Sequence, residues 1–139
     1  MVHVGDRALS LDNFSDILYK DKEVSLDTQT IEKVEVNFQF LQKFSSNKLI
    51  YGINTGFGPM AQYKVNEKNL LQLQYNLIRS HSSGAGNMMS PIMVKAVMIA
   101  RLNSLMQAYS GVHPEIVELL KELINKNVSF LTPHNRLKS

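Results

Sequence analysis

No cysteine occurs among the 139 residues, which excludes disulfides and thiol chemistry and leaves the redox compartment open. Long apolar runs are missing as well: the most apolar stretch, residues 92–105, is interrupted by Lys95 and Arg101 and is too short to span a bilayer. The opening Met1-Val2-His3-Val4-Gly5-Asp6 has neither the basic lead nor the apolar segment of a signal peptide. A cytoplasmic protein with no membrane partner is therefore expected. Charge of one sign is not in large excess, since 15 Lys and Arg stand against 12 Asp and Glu. Groups such as Lys64, Glu67 and Lys68 mix signs as solvated helix faces do, and the clustered cations with interleaved aromatics of a nucleic-acid groove do not occur. The four histidines, His3, His81, His113 and His134, have neither i, i+4 pairing nor cysteine company, so no metal site is expected.

Proline and glycine are scarce, at 4 and 7 residues, yet one proline and three glycines fall within Tyr51-Gly52-Ile53-Asn54-Thr55-Gly56-Phe57-Gly58-Pro59-Met60. In a helix Gly costs about 1 kcal/mol and Pro about 3 kcal/mol, so this stretch must be a loop between two helical patterns. It carries a phenol, an amide and a hydroxyl on a backbone that glycine lets approach a ligand closely, which suits an active-site loop. Residues 56–61 formally match the G-x-G-x-x-G/A phosphate fingerprint. That reading is rejected, because a dinucleotide site needs a βαβ unit and an acidic ribose ligand about 20 residues on, whereas here helix follows helix.

Length and a 44% hydrophobic, 19% charged composition fit one globular domain, residues 1–139, able to bury roughly two thirds of its unfolded surface. Val2 and Val4, then Val24 and Leu26, alternate with polar residues and are expected to pair as a small two-stranded ribbon. The rest is mainly α. Helices are expected near 10–19, 28–45, 67–83, 91–108 and 114–126, started by Ser10, Asp27 or Thr28, Asn66, Ser90-Pro91 and His113-Pro114. Their inward faces would be Leu11, Phe14, Ile17 and Leu18; Ile31, Val34, Phe38, Leu41 and Phe44; Leu70, Leu73, Leu77 and His81; and Ile116, Leu119, Leu120, Leu123 and Ile124. Residues 92–108 are apolar nearly all round and should form a central, buried helix needing cover on every side. Residues 51–60 should lie outside regular structure, and 129–139 read as extended or disordered.

Taken alone, His81 on its apolar stripe reads as a core histidine with one satisfied hydrogen bond. Ser82 and Ser83 beside it sit in no nucleophile elbow. Met88, Met89, Met93, Met98 and Met106 read as core filler, His113 as a helix-start residue, and Tyr51 as a ring packed under its loop.

Four motifs in order alter that reading. Residues 51–58 (Y-G-I-N-T-G-F-G), 76–86 (N-L-I-R-S-H-S-S-G-A-G), 101–105 (R-L-N-S-L) and 110–114 (S-G-V-H-P) resemble the amino-terminal part of the histidine and aromatic amino acid ammonia-lyases. The similarity covers residues 2–127, leaving 128–139 as an atypical tail. The resemblance implies the mainly helical amino-terminal domain of the L-aspartase-like fold, a homo-oligomer that is a tetramer in the complete enzyme, and a small amino acid substrate. It implies that Tyr51 is the base removing a β-proton, that Asn54 and Gly58 shape the substrate site, and that His81 with Ser80 meets the substrate side chain. A phenol ordinarily titrates near pH 10, so such a base needs a preorganised site. The R-S-H-S pattern is similar both to histidine ammonia-lyases and to some tyrosine-specific lyases and aminomutases, and the substrate stays open between histidine and tyrosine.

The family also carries an Ala-Ser-Gly triplet that cyclises to the electrophilic methylidene-imidazolone group. No such triplet occurs here; the Ser-Gly pairs are Ser83-Gly84 and Ser110-Gly111, and residues 131–139 replace the expected glycine-rich lead. The expectation is a truncated or frameshifted lyase with no cofactor of its own, inactive by itself. The alternative is a non-catalytic helical interaction module derived from the same fold.

Overall fold

The computed structural model describes residues 1–84 and 86–128. The chain enters as strand β1 (Val2–Val4), crosses through helix α1 (Leu11–Tyr19) and returns as strand β2 (Val24–Leu26). The two strands pair in parallel, Val2 opposite Val24 and Val4 opposite Leu26, as an intervening helical crossover requires. Their valines face the core, while His3 and Ser25 hydrogen-bond on the outer face at 2.8 Å.

Side-chain caps account for where the helices begin. Ser10 and Asn13 form a reciprocal capping box on α1, with the Asn13 N–H donating to Ser10 Oγ and the Ser10 N–H donating to Asn13 Oδ1. Helix α2 (Thr28–Ser45) starts at Asp27, whose carboxylate accepts from the Thr30 N–H and hydroxyl. Helix α3 (Glu67–His81) starts at Asn66, α4 (Pro91–Leu105) at Ser90, and α5 (Pro114–Asn125) at His113, the last two with proline in the first turn. The chain leaves α4 three residues earlier than the apolar pattern suggested. Here Ala108 takes up a left-handed φ of 60°, and the N–H groups of Gln107 and Ala108 reach back only three residues.

Val4, Ile17, Val34, Ile99, Leu102, Met106, Val117 and Ile124 form the innermost core. Burying each side chain of this size contributes about 1.5–3 kcal/mol. α4 lies against α1 and α5, and α5 also packs on β2 and α2. Asn125 fastens α5 to the sheet edge: its Oδ1 accepts from the Val24 N–H and its Nδ2 donates to the Val24 carbonyl.

Several expected faces turn out differently. α4 is not covered all round, because α1 and α5 pack only over Val94, Met98, Ile99, Leu102 and Leu105, leaving Ile92, Met93 and Val97 exposed. α5 turns Val117 and Ile124 inward and leaves Ile116 and Leu119 outside. Its apolar stripe is wide enough for either edge to face in, and the edge nearer β2 and α4 is the one buried. Leu11, in the first turn of α1, is exposed. Among the described side chains of α3 none is buried, so the core-histidine reading of His81 fails: it sits exposed at the end of a helix whose Leu71, Tyr75 and Ile78 face outward. The tail reading for 129–139 lies outside the described residues.

Candidate active site

The site is built around the 46–66 connection between α2 and α3. It is not wholly irregular, as expected for 51–60: Gly58–Met60 forms a single 3-10 turn around Pro59, and Thr55 bridges Lys64 in antiparallel fashion. The bridge makes the segment a closed loop. The Gly56 N–H donates to the Tyr63 carbonyl and the Val65 N–H to the Asn54 carbonyl, so residues 63–65 return beside 54–56.

Asn54 holds the loop together from inside. It is 6% exposed; its Oδ1 accepts from the Ile50 N–H at 2.8 Å and its Nδ2 donates to the Ser45 and Lys48 carbonyls, both at 2.7 Å. The amide that the resemblance implied would shape the substrate site makes its hydrogen bonds within the loop and to the last carbonyl of α2. Thr55 is fully buried, its hydroxyl donating to the Gly56 carbonyl. Gly58 takes a left-handed φ of 56°, a conformation that disfavours any side chain although a Cβ there would meet no atom.

Tyr51 stands at the outer edge of this framework. Its side chain is 64% exposed, and the ring meets Phe57 edge to face at 6.0 Å between centroids. The ring is thus braced by Phe57 and does not pack beneath the loop. Ser80 and His81 lie at the far end of α3: Ser80 Oγ and His81 Nδ1 are 3.0 Å apart, and both side chains also reach the Leu77 carbonyl. Among the described residues no hydrogen bond joins Tyr51 or Gly58 to Ser80 or His81. The structure brings Tyr51, Asn54 and Gly58 together on one loop and holds Ser80 with His81 as a separate pair.

A cavity of about 460 Å³ lies behind the loop, lined by residues that include Ser45, Ser46, Asn54, Lys64 and Leu70. A larger one, about 780 Å³, lies between α2 and residues 107–109, away from the loop. Sequence reasoning missed the return segment, in which Lys64 Nζ donates to the Ser46 carbonyl at 3.3 Å. The signal was there in Tyr63 and Val65, two strand-forming residues alternating with Lys64 just after the glycines. Among the described residues no group of three or more His, Asp and Glu side chains is placed to hold a metal, and no helix is long and apolar enough to cross a membrane.

Known proteins resemble this chain in sequence and in fold. The chain is 39% identical over 129 residues to a histidine ammonia-lyase of Shouchella clausii, covering 92% of this chain and 26% of the relative. It is equally 39% identical over 126 residues to a tyrosine 2,3-aminomutase of Chondromyces crocatus, covering 90% of this chain and 24% of the relative. Among solved structures, a tyrosine aminomutase from Streptomyces globisporus superposes with a TM-score of 0.88 at 29% identity, over 95% of this chain and 25% of that one. A histidine ammonia-lyase from Trypanosoma cruzi has the same fold, with a TM-score of 0.83 at 24% identity over 96% of this chain and 26% of that one. The chain spans about a quarter of the length of these relatives. Its architecture is the mainly helical amino-terminal part of the ammonia-lyase fold. The match to the family described as aromatic amino acid lyase runs over residues 9–135, through the tyrosine loop, the Ser80–His81 pair and both helices beyond, and the chain belongs to that family.

Proposed function

We propose that this chain is the amino-terminal portion of an ammonia-lyase for histidine or another aromatic amino acid, with residues 2–127 forming one folded unit. The reaction would be non-hydrolytic C–N cleavage releasing ammonia. The observation that carries the reading is the placement of Tyr51: an exposed phenol braced by Phe57 on a loop whose interior is tied down by Asn54. Acting as base, the phenol oxygen of Tyr51 would take a proton from the β-carbon of a bound amino acid, a step worth roughly 10²–10⁴ in rate. Gly58 keeps the neighbouring backbone bare. Ser80 and His81, exposed at the end of α3, would meet the substrate side chain, and the imidazole and hydroxyl can serve either an imidazole or a phenol. Relatives named for histidine and for tyrosine chemistry at equal identity are in keeping with that breadth.

The complete enzyme would be a homo-oligomer, a tetramer by the family resemblance, carrying the methylidene-imidazolone electrophile. That group is made from an Ala-Ser-Gly triplet, which these 139 residues do not contain, so no step in this chain runs through it. General-base action alone falls far short of the 10⁶-fold or greater acceleration typical of enzymes. The purified chain should therefore yield no urocanate- or cinnamate-type absorbance from histidine, tyrosine or phenylalanine. In a full-length relative, changing the tyrosine equivalent to Tyr51 to Phe should reduce turnover by several powers of ten with fold and prosthetic group intact. Turnover by the isolated chain would overturn the first expectation, and near-normal turnover by the variant would remove the base role. The alternative of a non-catalytic helical module draws its support from the uncovered apolar face of α4; an Ala-Ser-Gly triplet encoded downstream of Ser139 would favour the lyase reading, and an unrelated gene there the module.

A further inference from the structure

We infer that Asn54 and Lys64 are positioning residues that latch the Tyr51 loop onto the carboxyl-terminal end of α2. This rests on the reading of Tyr51 as the base. The last carbonyls of a helix have no partner within it and must be satisfied from outside. At the end of α2 two loop side chains do this: Asn54 Nδ2 donates to the Ser45 carbonyl and Lys64 Nζ to the Ser46 carbonyl. The lysine also places a cation at the negative end of the helix dipole.

Asn54 does more than cap. Its second Nδ2 hydrogen reaches the Lys48 carbonyl and its Oδ1 takes the Ile50 N–H, so its amide closes the turn from which Tyr51 projects. Its backbone extends the same hub, the N–H donating to the Ile50 carbonyl and the carbonyl accepting from the Val65 N–H. Thr55 and Lys64, the next residue on each side, form the antiparallel bridge. Every polar atom of the Asn54 side chain is thereby used, and the side chain is buried. Asn54 thus acts on the reaction by fixing where Tyr51 stands, without touching the substrate. Misplacing a catalytic group by about 1 Å can cost about 10²-fold in rate.

Hydrogen exchange on the 139-residue chain tests the latch without any catalysis. The Ile50 and Val65 amides should be protected in the wild type. Asn54→Ala should accelerate both by about tenfold or more, while amides at Leu102 and Val117 in the core keep their rates. Lys64→Met should give a smaller acceleration, reversed by Lys64→Arg. An unprotected Ile50 amide in the wild type, or unchanged rates in Asn54→Ala, overturns the proposal. The second arm uses a full-length relative that carries the same tyrosine and asparagine. There Asn→Ala should lower kcat by about 10- to 100-fold with KM altered less than about threefold, and should cost little more when the tyrosine is already Phe. A rise in KM with kcat unchanged would make Asn54 a substrate contact and sink the latch. Full activity of the Tyr→Phe relative would instead sink the base reading and leave the exchange result standing.

Discussion

Asp16 illustrates how individual charges behave on this small fold. It takes hydrogen bonds from Lys20 and Lys22, both at 2.8 Å, and these hold its carboxyl down at about 2, against an ordinary value of 3.8. The Thr30 hydroxyl, then the Thr30 N–H, likewise lower Asp27 at the cap of α2. A carboxylate whose folded value lies below its unfolded one binds fewer protons when folded, so its contribution is present above the unfolded value. For Asp16 that contribution is complete above about pH 4 and is lost as pH falls toward about 2. Stability measured by urea titration should decline through this window, and Asp16→Asn should flatten the decline. An acid limb unchanged by Asp16→Asn would show that its two lysine partners add nothing. At this scale much was legible: Ser10, Asp27, Asn66 and His113 all accept a hydrogen bond at the helix starts where their types placed them. Asn54 was not legible in the same way. A motif gives the identity of an amide but not which of several nearby carbonyls will claim it.

Among the elements, the contrast between α4 and α3 decides where stability resides. Leu102 of α4 is fully buried among α1 and α5 neighbours, so Leu102→Ala should cost about 2–5 kcal/mol through lost burial and the cavity left behind. Leu71 and Ile78 on α3 face outward, and Leu71→Gln or Ile78→Gln should stay within about 0.5 kcal/mol. Chemical denaturation of the three variants checks the pair of expectations; a loss above 2 kcal/mol at Ile78 would mean that α3 is packed in solution. The same contrast explains the limits of the sequence reading. Three-and-four spacing correctly located five helices, but it cannot say which apolar faces find a neighbour within a quarter-length chain. On α5 the apolar residues 116, 117, 119, 120, 123 and 124 form so broad a stripe that only the positions of β2 and α4 select Val117 and Ile124 for burial. On α3 the stripe containing His81 is only half-buried at Leu70, Leu73 and Leu77 and uncovered at its end, which is why a histidine read as core is exposed.

At the scale of the whole molecule, the uncovered faces predict self-association. The outer side of α4 presents Met93, Val97, Ala100 and Ser104, all exposed and at spacings of four, three and four, with Val97 at 58%. That spacing is the 3.5-residue period of a seam between packed helices, and none of its members is charged. Leu71, Tyr75 and Ile78 add a second outward apolar face on α3. Monomers rarely leave large contiguous apolar patches facing water, and burial of such area is favourable at roughly 25 cal/mol per Å². The purified chain should therefore show a sedimentation coefficient that rises with concentration across the micromolar range. Val97→Lys places a desolvated charge in the seam and should shift the chain toward monomer. Because Val97 contributes nothing to the core, helix content and melting temperature should be nearly unchanged in that variant. A wild-type chain that sediments as a monomer throughout would show that these faces are tolerated in water. A chain that associates equally well with Lys at position 97 would move the contact from α4 to α3, where Ile78→Lys is the next variant to sediment.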